Sequence, residues 1–166
     1  MSLWCKLMTP IERPCIHLLL AFLLVHLCIL QLSQSASNFI DQSALLAFKS
    51  KINNTHLAGN WSTTTNFCNW IEVTCSLRRQ RVTTLNLSYL GLQGTISPHV
   101  GNLSFLVSHD LSNNSFYGFL PHEICRLQRL RELVLSYNLL EGNIPPTIHN
   151  CHKLEYLSLS KKQVKW

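Results

Sequence analysis

The sequence predicts an α/β repeat fold, in which short parallel strands stack into a right-handed solenoid behind a helical N-terminal cap. Three observations predict it. Leucines recur every 24 residues, they alternate with other residues inside each repeat, and a helical apolar pattern followed by tryptophans precedes the repeats. With 166 residues, the chain has room for one modest domain and a targeting segment.

The composition limits the classes of protein to which the chain can belong. Charged residues make up 13% of the chain and apolar residues 46%, which fits a buried apolar seam and excludes a disordered charged tail. The formal net charge of +6 comes largely from three small basic groups. These are Arg78, Arg79 and Arg81; Arg126, Arg129 and Arg131; and Lys161, Lys162 and Lys165. No base-reading motif accompanies them, so we expect solvated surface and no nucleic-acid partner.

Residues 1–37 have the pattern of a secretory signal peptide. Lys6 and Arg13 precede an apolar run over residues 16–32, and small or polar residues follow over 33–37. This order predicts cleavage near Ala36 or Ser37 and secretion to the extracellular space. The run is also long enough to be retained as a membrane anchor. The sequence has no second apolar stretch of about 20 residues, so we expect no membrane span in the mature chain.

Residues 38–80 predict a cap for the repeats. Asp41 suits the N-cap position of a helix, and three apolar residues follow it at helical spacing on one face. These residues are Leu45, Phe48 and Ile52. Trp61 and Trp70 then supply the bulk needed to cover the first repeat.

The cysteines divide at the same boundary. Cys5, Cys15 and Cys28 lie in the signal segment, and the other four enter an oxidising compartment. Cys68 and Cys75 are close enough in sequence for a local loop-closing disulfide. Cys125 and Cys151 are expected to stay free, with Cys151 buried and Cys125 partly exposed.

Histidines near the last two cysteines superficially resemble part of a zinc site. They are His122, His149 and His152. A structural zinc site needs four converging ligands, and Cys151 falls in an inward-facing column of the repeat. We therefore expect no metal.

The repeats occupy residues 81–160, as three full units near 82–105, 106–129 and 130–153 and the start of a fourth. Several columns keep the 24-residue spacing. They include Leu87, Leu111, Leu135 and Leu159, each followed by serine; Gly94, Gly118 and Gly142; and Ile96, Leu120 and Ile144. Leucines that alternate with other residues indicate a strand with one buried face. Stacked units would share the core that one unit cannot form alone.

Asparagines follow two of these strands. Asn114 and Asn138 can each bond backbone groups of the turn as the chain leaves the strand, which satisfies polar groups that stacking would bury. Leu90 takes this position in the first repeat. Pro121 and Pro145 follow the glycine column and stiffen the outer segment of each repeat.

These residues closely resemble the plant extracellular leucine-rich repeat, L-x-x-L-x-L-S-x-N-x-L-x-G-x-I-P, most clearly over residues 130–145. The cap, with D-Q-S-A-L-L-A-F-K, tryptophan and C-x-W-x-x-V-x-C, resembles that of plant leucine-rich-repeat receptor-like kinases. The resemblance covers residues 38 to about 160 and implies an extracellular recognition module in defence or developmental signalling.

Besides Leu90, the chain departs from the family pattern at three places. Glu72 stands where the family usually has glycine, and His109 stands in the inward leucine column. After Ser160, residues 161–166 form an atypical tail in place of a further repeat. We therefore expect an ectodomain truncated before the transmembrane helix and kinase. No nucleotide loop or catalytic-loop aspartate motif occurs, so neither catalysis nor a cofactor is expected.

The candidate binding surface is the strand face, where outward residues alternate with buried leucines. Its residues are Asn86, Ser88, Tyr89, Ser108, Asp110, Asn113, Glu132, Val134, Tyr137, Tyr156 and Ser158. The expected partner is a protein or peptide ligand, or a co-receptor. The alternative is that three coils are too few for a working groove, since stable interfaces bury about 800 Å² per partner.

Five N-x-S/T sequons agree with secretion. They are Asn53, Asn60, Asn86, Asn102 and Asn113. Asn86 and Asn113 lie on or beside the strand face, where a glycan would obstruct a partner. We expect occupancy first at Asn53, Asn60 and Asn102.

Three hypotheses for function follow. The first is a truncated receptor-kinase ectodomain that binds a protein or peptide. The second is a stand-alone secreted leucine-rich-repeat protein, such as an inhibitor or decoy. The third is a gene fragment without a function of its own.

Overall fold

The computed structural model describes residues 12–53, 57 and 59–160, with the side chains of residues 17–30 and of those from 38 onward. The chain divides into two compact units, Met1–Ser37 and Asn38–Trp166. Helix α1 spans Glu12–Lys49, and its apolar side chains between Leu18 and Leu30 are exposed. No helix of the described ranges has both the length and the apolar character to cross a bilayer. The assignment of this segment as a signal peptide stays a prediction.

The second unit is built on a five-stranded sheet. Strand β2, Val73–Cys75, pairs antiparallel with β3, Val82–Asn86. Three parallel strands follow at 24-residue spacing: β5, Ser108–Asp110; β7, Glu132–Val134; and β9, Tyr156–Ser158. The inward leucine columns determine this register, because a slip by one residue would turn every leucine to solvent. The predicted α/β repeat of short parallel strands is confirmed.

A second sheet, which the repeat pattern did not predict, also runs through the repeats. Strand β1, Ile52–Asn53, pairs antiparallel with β4, Gln93–Thr95. Parallel strands β6, Ser115–Phe119, and β8, Leu139–Glu141, complete the sheet. One short 3₁₀ helix lies in the cap, at Phe67–Asn69, and one lies in each repeat, at Pro98–Asn102, His122–Arg126 and Pro146–Asn150.

Two expectations for the cap were wrong. Ile52 does not extend the helical face, because α1 ends at Lys49 and Ile52 pairs with Gly94 in the second sheet. Asp41 is not an N-cap, because it lies inside α1. Its buried carboxylate instead accepts hydrogen bonds from the Arg81 guanidinium and the Val82 backbone N–H.

The tryptophans and the disulfide stabilise the cap. Trp61 is fully buried and stacks on Trp70 with 5.4 Å between ring centroids. Both indole N–H groups are satisfied, by the Ile71 carbonyl and the Thr65 hydroxyl, so these rings can be buried without an unpaired donor. Cys68 and Cys75 form a disulfide beside them.

The turn at Glu72 is strained. Its φ is 65°, in the left-handed region where a side chain carries a steric penalty. This explains why glycine is the usual residue at this position. The same conformation recurs at Tyr89, Asn113 and Tyr137, one per repeat, where the chain turns away from the strand.

The two turn asparagines hold neighbouring coils together. The Asn114 amide donates to the carbonyls of Leu87 and Leu111, at 2.7 and 2.9 Å, and its oxygen accepts from the Leu92 N–H. One repeat later, Asn138 donates to Leu111 and Leu135 and accepts from Phe116. Each side chain therefore pairs backbone groups of two successive coils that burial would otherwise leave without partners.

Candidate functional site

The strand face consists of outward side chains on the five-stranded sheet. Six of the predicted residues lie on its parallel strands β5, β7 and β9. They are Ser108, Asp110, Glu132, Val134, Tyr156 and Ser158. All six are exposed or half-buried, and the strand register places Ser108, Glu132 and Tyr156 side by side. The Ser108 hydroxyl donates to Glu132 at 2.8 Å, so the two side chains present one polar surface.

The remaining predicted residues lie at or beyond the strand ends. Asn86 is the last residue of β3, and Ser88, Tyr89, Asn113 and Tyr137 follow in the turns. Tyr89 is 76% exposed and Tyr156 is 55% exposed. An exposed tyrosine offers contact area at low entropic cost together with a hydroxyl that can bond a partner, and tyrosine is accordingly enriched at binding surfaces.

Asn86 and Asp110 also have structural roles. The Asn86 side-chain oxygen accepts from both the N–H and the hydroxyl of Ser88, and Asp110 accepts from the Ser112 N–H at 2.8 Å. Such short-range bonds stabilise the turn that follows a strand. Part of the hydrogen-bonding capacity of these two residues is therefore committed within the chain.

His109 does not contribute to the strand face. It is fully buried, packs edge-on against Phe48, and its Nδ1 lies 3.1 Å from the Leu85 carbonyl oxygen. Because that partner can only accept, Nδ1 carries the proton, and the buried Nε2 has no partner. Burial lowers the pKa of His109 to about 4, against smaller upward effects of the Leu85 carbonyl and Asp110.

The sequon asparagines differ in exposure. Asn53, Asn60, Asn86 and Asn102 are exposed, whereas Asn113 is half-buried. Asn60 uses its oxygen to accept from the Ile71 N–H, which leaves its amide nitrogen, the atom that carries a glycan, available. Glycosylation itself stays a prediction.

The two free cysteines of the repeats are both buried. The expectation that Cys125 is partly exposed was wrong, since its exposure is 8%. The cause is packing of the last two 3₁₀ helices, which brings its thiol 3.1 Å from the Thr147 hydroxyl. Burial and the neighbouring Cys125 raise the pKa of Cys151 to about 11. Across the described part of the chain, no three histidine, cysteine or acidic side chains converge on one point.

A second surface, which the sequence pattern did not predict, surrounds the ring of Phe105. Arg81, assigned above to solvated surface, is buried against Asp41. Its guanidinium also lies 4.7 Å from the ring centroid of Phe105, where Arg79 and Arg129 approach the same ring. The 24-residue spacing of Phe105, Arg129 and Lys153 could have predicted this surface, because equivalent positions in successive coils are neighbours.

Comparisons with known proteins find leucine-rich-repeat families and relatives. A family model described as "Leucine rich repeat N-terminal domain" matches residues 41–76, and one described as "Leucine Rich Repeat" matches residues 129–151. The LRR receptor-like serine/threonine-protein kinase EFR of Arabidopsis thaliana is 45% identical over 112 residues, which cover 66% of this chain and 11% of that protein. The chain thus spans about a tenth of the length of this curated relative.

Two solved structures from Arabidopsis thaliana are similar as well. The BIR2 ectodomain is 31% identical, with a TM-score of 0.68 over 73% of this chain and 67% of that one. The LRR ectodomain of the receptor kinase GASSHO1/SCHENGEN3, solved in complex with CASPARIAN STRIP INTEGRITY FACTOR 2, is 28% identical. Its TM-score is 0.55 over 72% of this chain and 18% of that one.

Proposed function

The chain belongs to the leucine-rich-repeat ectodomains of plant receptor kinases, and on that premise we propose that it is an extracellular recognition module. It binds a protein or peptide through its strand face and performs no catalysis of its own. The solved complex of the related GASSHO1/SCHENGEN3 ectodomain supports this proposal, because it is an example of the same fold with a bound partner. Residues 1–37 act as the secretory signal, 38–80 as the cap and 81–160 as the recognition array.

One observation carries the proposal. The register of β5, β7 and β9 aligns Ser108, Glu132 and Tyr156 across three successive coils, with their side chains outside the core. A partner that runs along the coils can therefore contact equivalent positions in turn, while the buried leucines on the other side hold the strands rigid.

The chemistry of the strand face indicates the class of partner. Glu132 and the half-buried Asp110 contribute negative charge, and Tyr89, Tyr137 and Tyr156 are exposed aromatic side chains. No cationic side chain lies among the eleven residues predicted for this face. The surface therefore favours a segment with basic and hydrogen-bond-donating groups, which charge complementarity would orient.

A peptide-display experiment tests this proposal. The purified chain would select binders from a randomised library, and each binder would be measured against a variant with Glu132→Ala and Tyr156→Ala. We expect most binders to lose about tenfold or more in affinity, since aromatic and charged anchors at the centre of an interface carry most of its energy.

The control variant changes the second sheet. Tyr117→Ala with Phe119→Ala removes two exposed aromatic side chains from β6 and should leave those affinities unchanged. Thermal melts of both variants would verify folding. Binders that respond to the β6 variant and ignore the strand-face variant would refute the proposal.

A further inference from the structure

A basic and aromatic surface lies beside the strand face, at the turns that lead into the parallel strands. We call it the arginine patch and define it by Arg78, Arg79, Phe105, Arg126, Arg129 and Lys153. Phe105, Arg129 and Lys153 occupy the same position in three successive coils, and Arg78 and Arg79 lie in the turn before β3. Because the amino ends of parallel strands share one edge of a sheet, these residues form a continuous border of the five-stranded sheet.

Three arginine side chains lie close to the ring of Phe105. The guanidinium carbon of Arg129 lies 4.0 Å from the ring centroid, and those of Arg81 and Arg79 lie 4.7 and 5.5 Å from it. Each contact is within the range of a cation–π interaction. A guanidinium held near a ring has lost part of its rotational freedom while its N–H groups remain available, so it is partly preorganised to bind an anion.

The charges of the patch are not neutralised within the described residues. The ion pairs there join Arg81 to Asp41, His122 to Glu123 and Arg131 to Glu155. None of the five cations of the patch takes part in them. Several cations close together without counter-charges produce a positive potential that attracts an anionic partner.

The shape of the surface adds an apolar component. Two depressions of about 530 and 420 Å³ meet at Phe105 and Arg129. The second is also lined by Val107 and by Leu77, whose side chain is 93% exposed. An exposed leucine next to arginines favours a partner that brings both carboxylates and an apolar side chain.

We propose that the arginine patch binds an acidic segment of a protein partner, in which carboxylates flank an aliphatic or aromatic side chain. The arginine forks pair with the carboxylates in bidentate geometry, and Leu77, Phe105 and Val107 cover the apolar side chain. The apolar contacts disfavour a polysaccharide or polyphosphate, whose repeating units would leave them unfilled. This site is separate from the strand face and opposite to it in charge, so it is independent of the function proposed above.

Fluorescence anisotropy with a labelled peptide of alternating glutamate and leucine tests the proposal. The same peptide with glutamine in place of glutamate measures the part played by charge, and polygalacturonic acid competes as an anionic polymer without apolar side chains. We expect binding of the glutamate peptide only. Affinity should fall severalfold when salt rises from low to physiological concentration, because salt screens exposed charges.

A charge-reversed variant with Arg79→Glu and Arg129→Glu should lower this affinity by at least about tenfold. A second variant, Arg79→Leu with Arg129→Leu, keeps apolar contacts to Phe105 and should give a similar loss. It tests the proposal even if charge reversal disturbs the fold. The matched control is Lys51→Glu with Arg131→Glu, which makes the same change in net charge at exposed residues outside the patch.

Loss of binding in both patch variants with retention in the control would establish the site. Three results would overturn the proposal: no binding of the glutamate peptide, equal loss in the control variant, or displacement by polygalacturonic acid as effective as by unlabelled peptide. The last result would identify the patch as a general polyanion site.

Discussion

At the scale of single residues, His109 is a polar side chain in a fully buried position. It takes a leucine position in the inward column, next to Leu85 and Leu133 in the strand register. Its Nε2 is buried without a partner, which costs about 1–3 kcal/mol for a neutral polar atom. The fold tolerates this residue because the Leu85 carbonyl satisfies the other ring nitrogen.

The lowered pKa of His109 makes stability depend on pH. The unfolded chain binds a proton near its ordinary pKa of 6.5, whereas the folded chain binds one only near 4. Between these values the unfolded state holds more protons, so the free energy of unfolding falls as the pH is lowered through this window. The loss approaches about 3 kcal/mol, at about 1.4 kcal/mol for each pH unit. Urea denaturation at about pH 7 and pH 5 should show about 2 kcal/mol of this loss, because pH 5 lies about 1.5 pH units below the unfolded pKa of 6.5.

His109→Leu should flatten this dependence and raise stability at neutral pH by about 1 kcal/mol or more, because no polar atom is then left unpaired. The exposed His99 supplies the control, since His99→Gln should preserve the acid sensitivity. If His109→Leu were as acid-sensitive as the parent chain, another group would be responsible.

At the scale of elements, the ion pair of Asp41 and Arg81 joins helix α1 to the residue that directly precedes strand β3. The guanidinium donates two bonds to the carboxylate, at 2.8 and 2.6 Å, and the Val82 N–H donates a third at 2.9 Å. All donors and acceptors lie in a buried environment, where a lone charge is costly. The pair therefore determines how the cap docks onto the first repeat.

Arg81→Ala should lower the free energy of unfolding by about 3–5 kcal/mol, because Asp41 then keeps a buried charge with only the Val82 N–H as partner. Asp41→Leu combined with Arg81→Met should cost clearly less, since neither charge remains. Arg78→Ala, at an exposed position in the same turn, is the control and should change stability by less than about 0.5 kcal/mol. A double variant as unstable as Arg81→Ala would contradict this account.

At the scale of the whole molecule, the prediction of secretion and the prediction of N-glycosylation depend on each other. The exposed sequons Asn53, Asn60 and Asn102 lie outside the five-stranded sheet, so glycans there are compatible with recognition. Asn86 ends β3, and the half-buried Asn113 lies in the turn beyond β5, where glycans would interfere with a partner.

Expressed in cultured mammalian cells, the chain should appear in the medium with an N-terminus near Ala36 or Ser37 and with N-linked glycans. Asn102→Gln should remove one glycan, seen as a single step in mass before but not after treatment with peptide N-glycosidase. Asn69→Gln, at an exposed asparagine outside any sequon, should leave the mass pattern unchanged. An unmodified chain retained in the cell lysate would exclude both secretion and glycosylation.

The repeat architecture and its core could be predicted from the amino-acid pattern alone. Each repeat meets a neighbour with the same pattern one period away, so the spacing of Leu87, Leu111 and Leu135 already specifies which side chains stack and which face is buried. The roles of Asn114 and Asn138 follow from the same logic, because a polar side chain at a buried turn must bond the backbone there. Within the repeats, the periodicity therefore predicts contacts between residues that are far apart in the sequence.

Features outside that period became apparent only from the folded chain. Asp41 and Arg81 lie 40 residues apart, and no repeat relates them, so their pairing follows from how the cap helix docks. Ile52 left the helix for the second sheet because Gly94, which has no side chain, lets the Lys51–Ile52 backbone approach closely. The arginines around Phe105 can be read from the sequence. Their convergence on this one ring depends on side-chain packing across three coils. Such contacts form only when the coils are stacked, so no local sequence pattern predicts them.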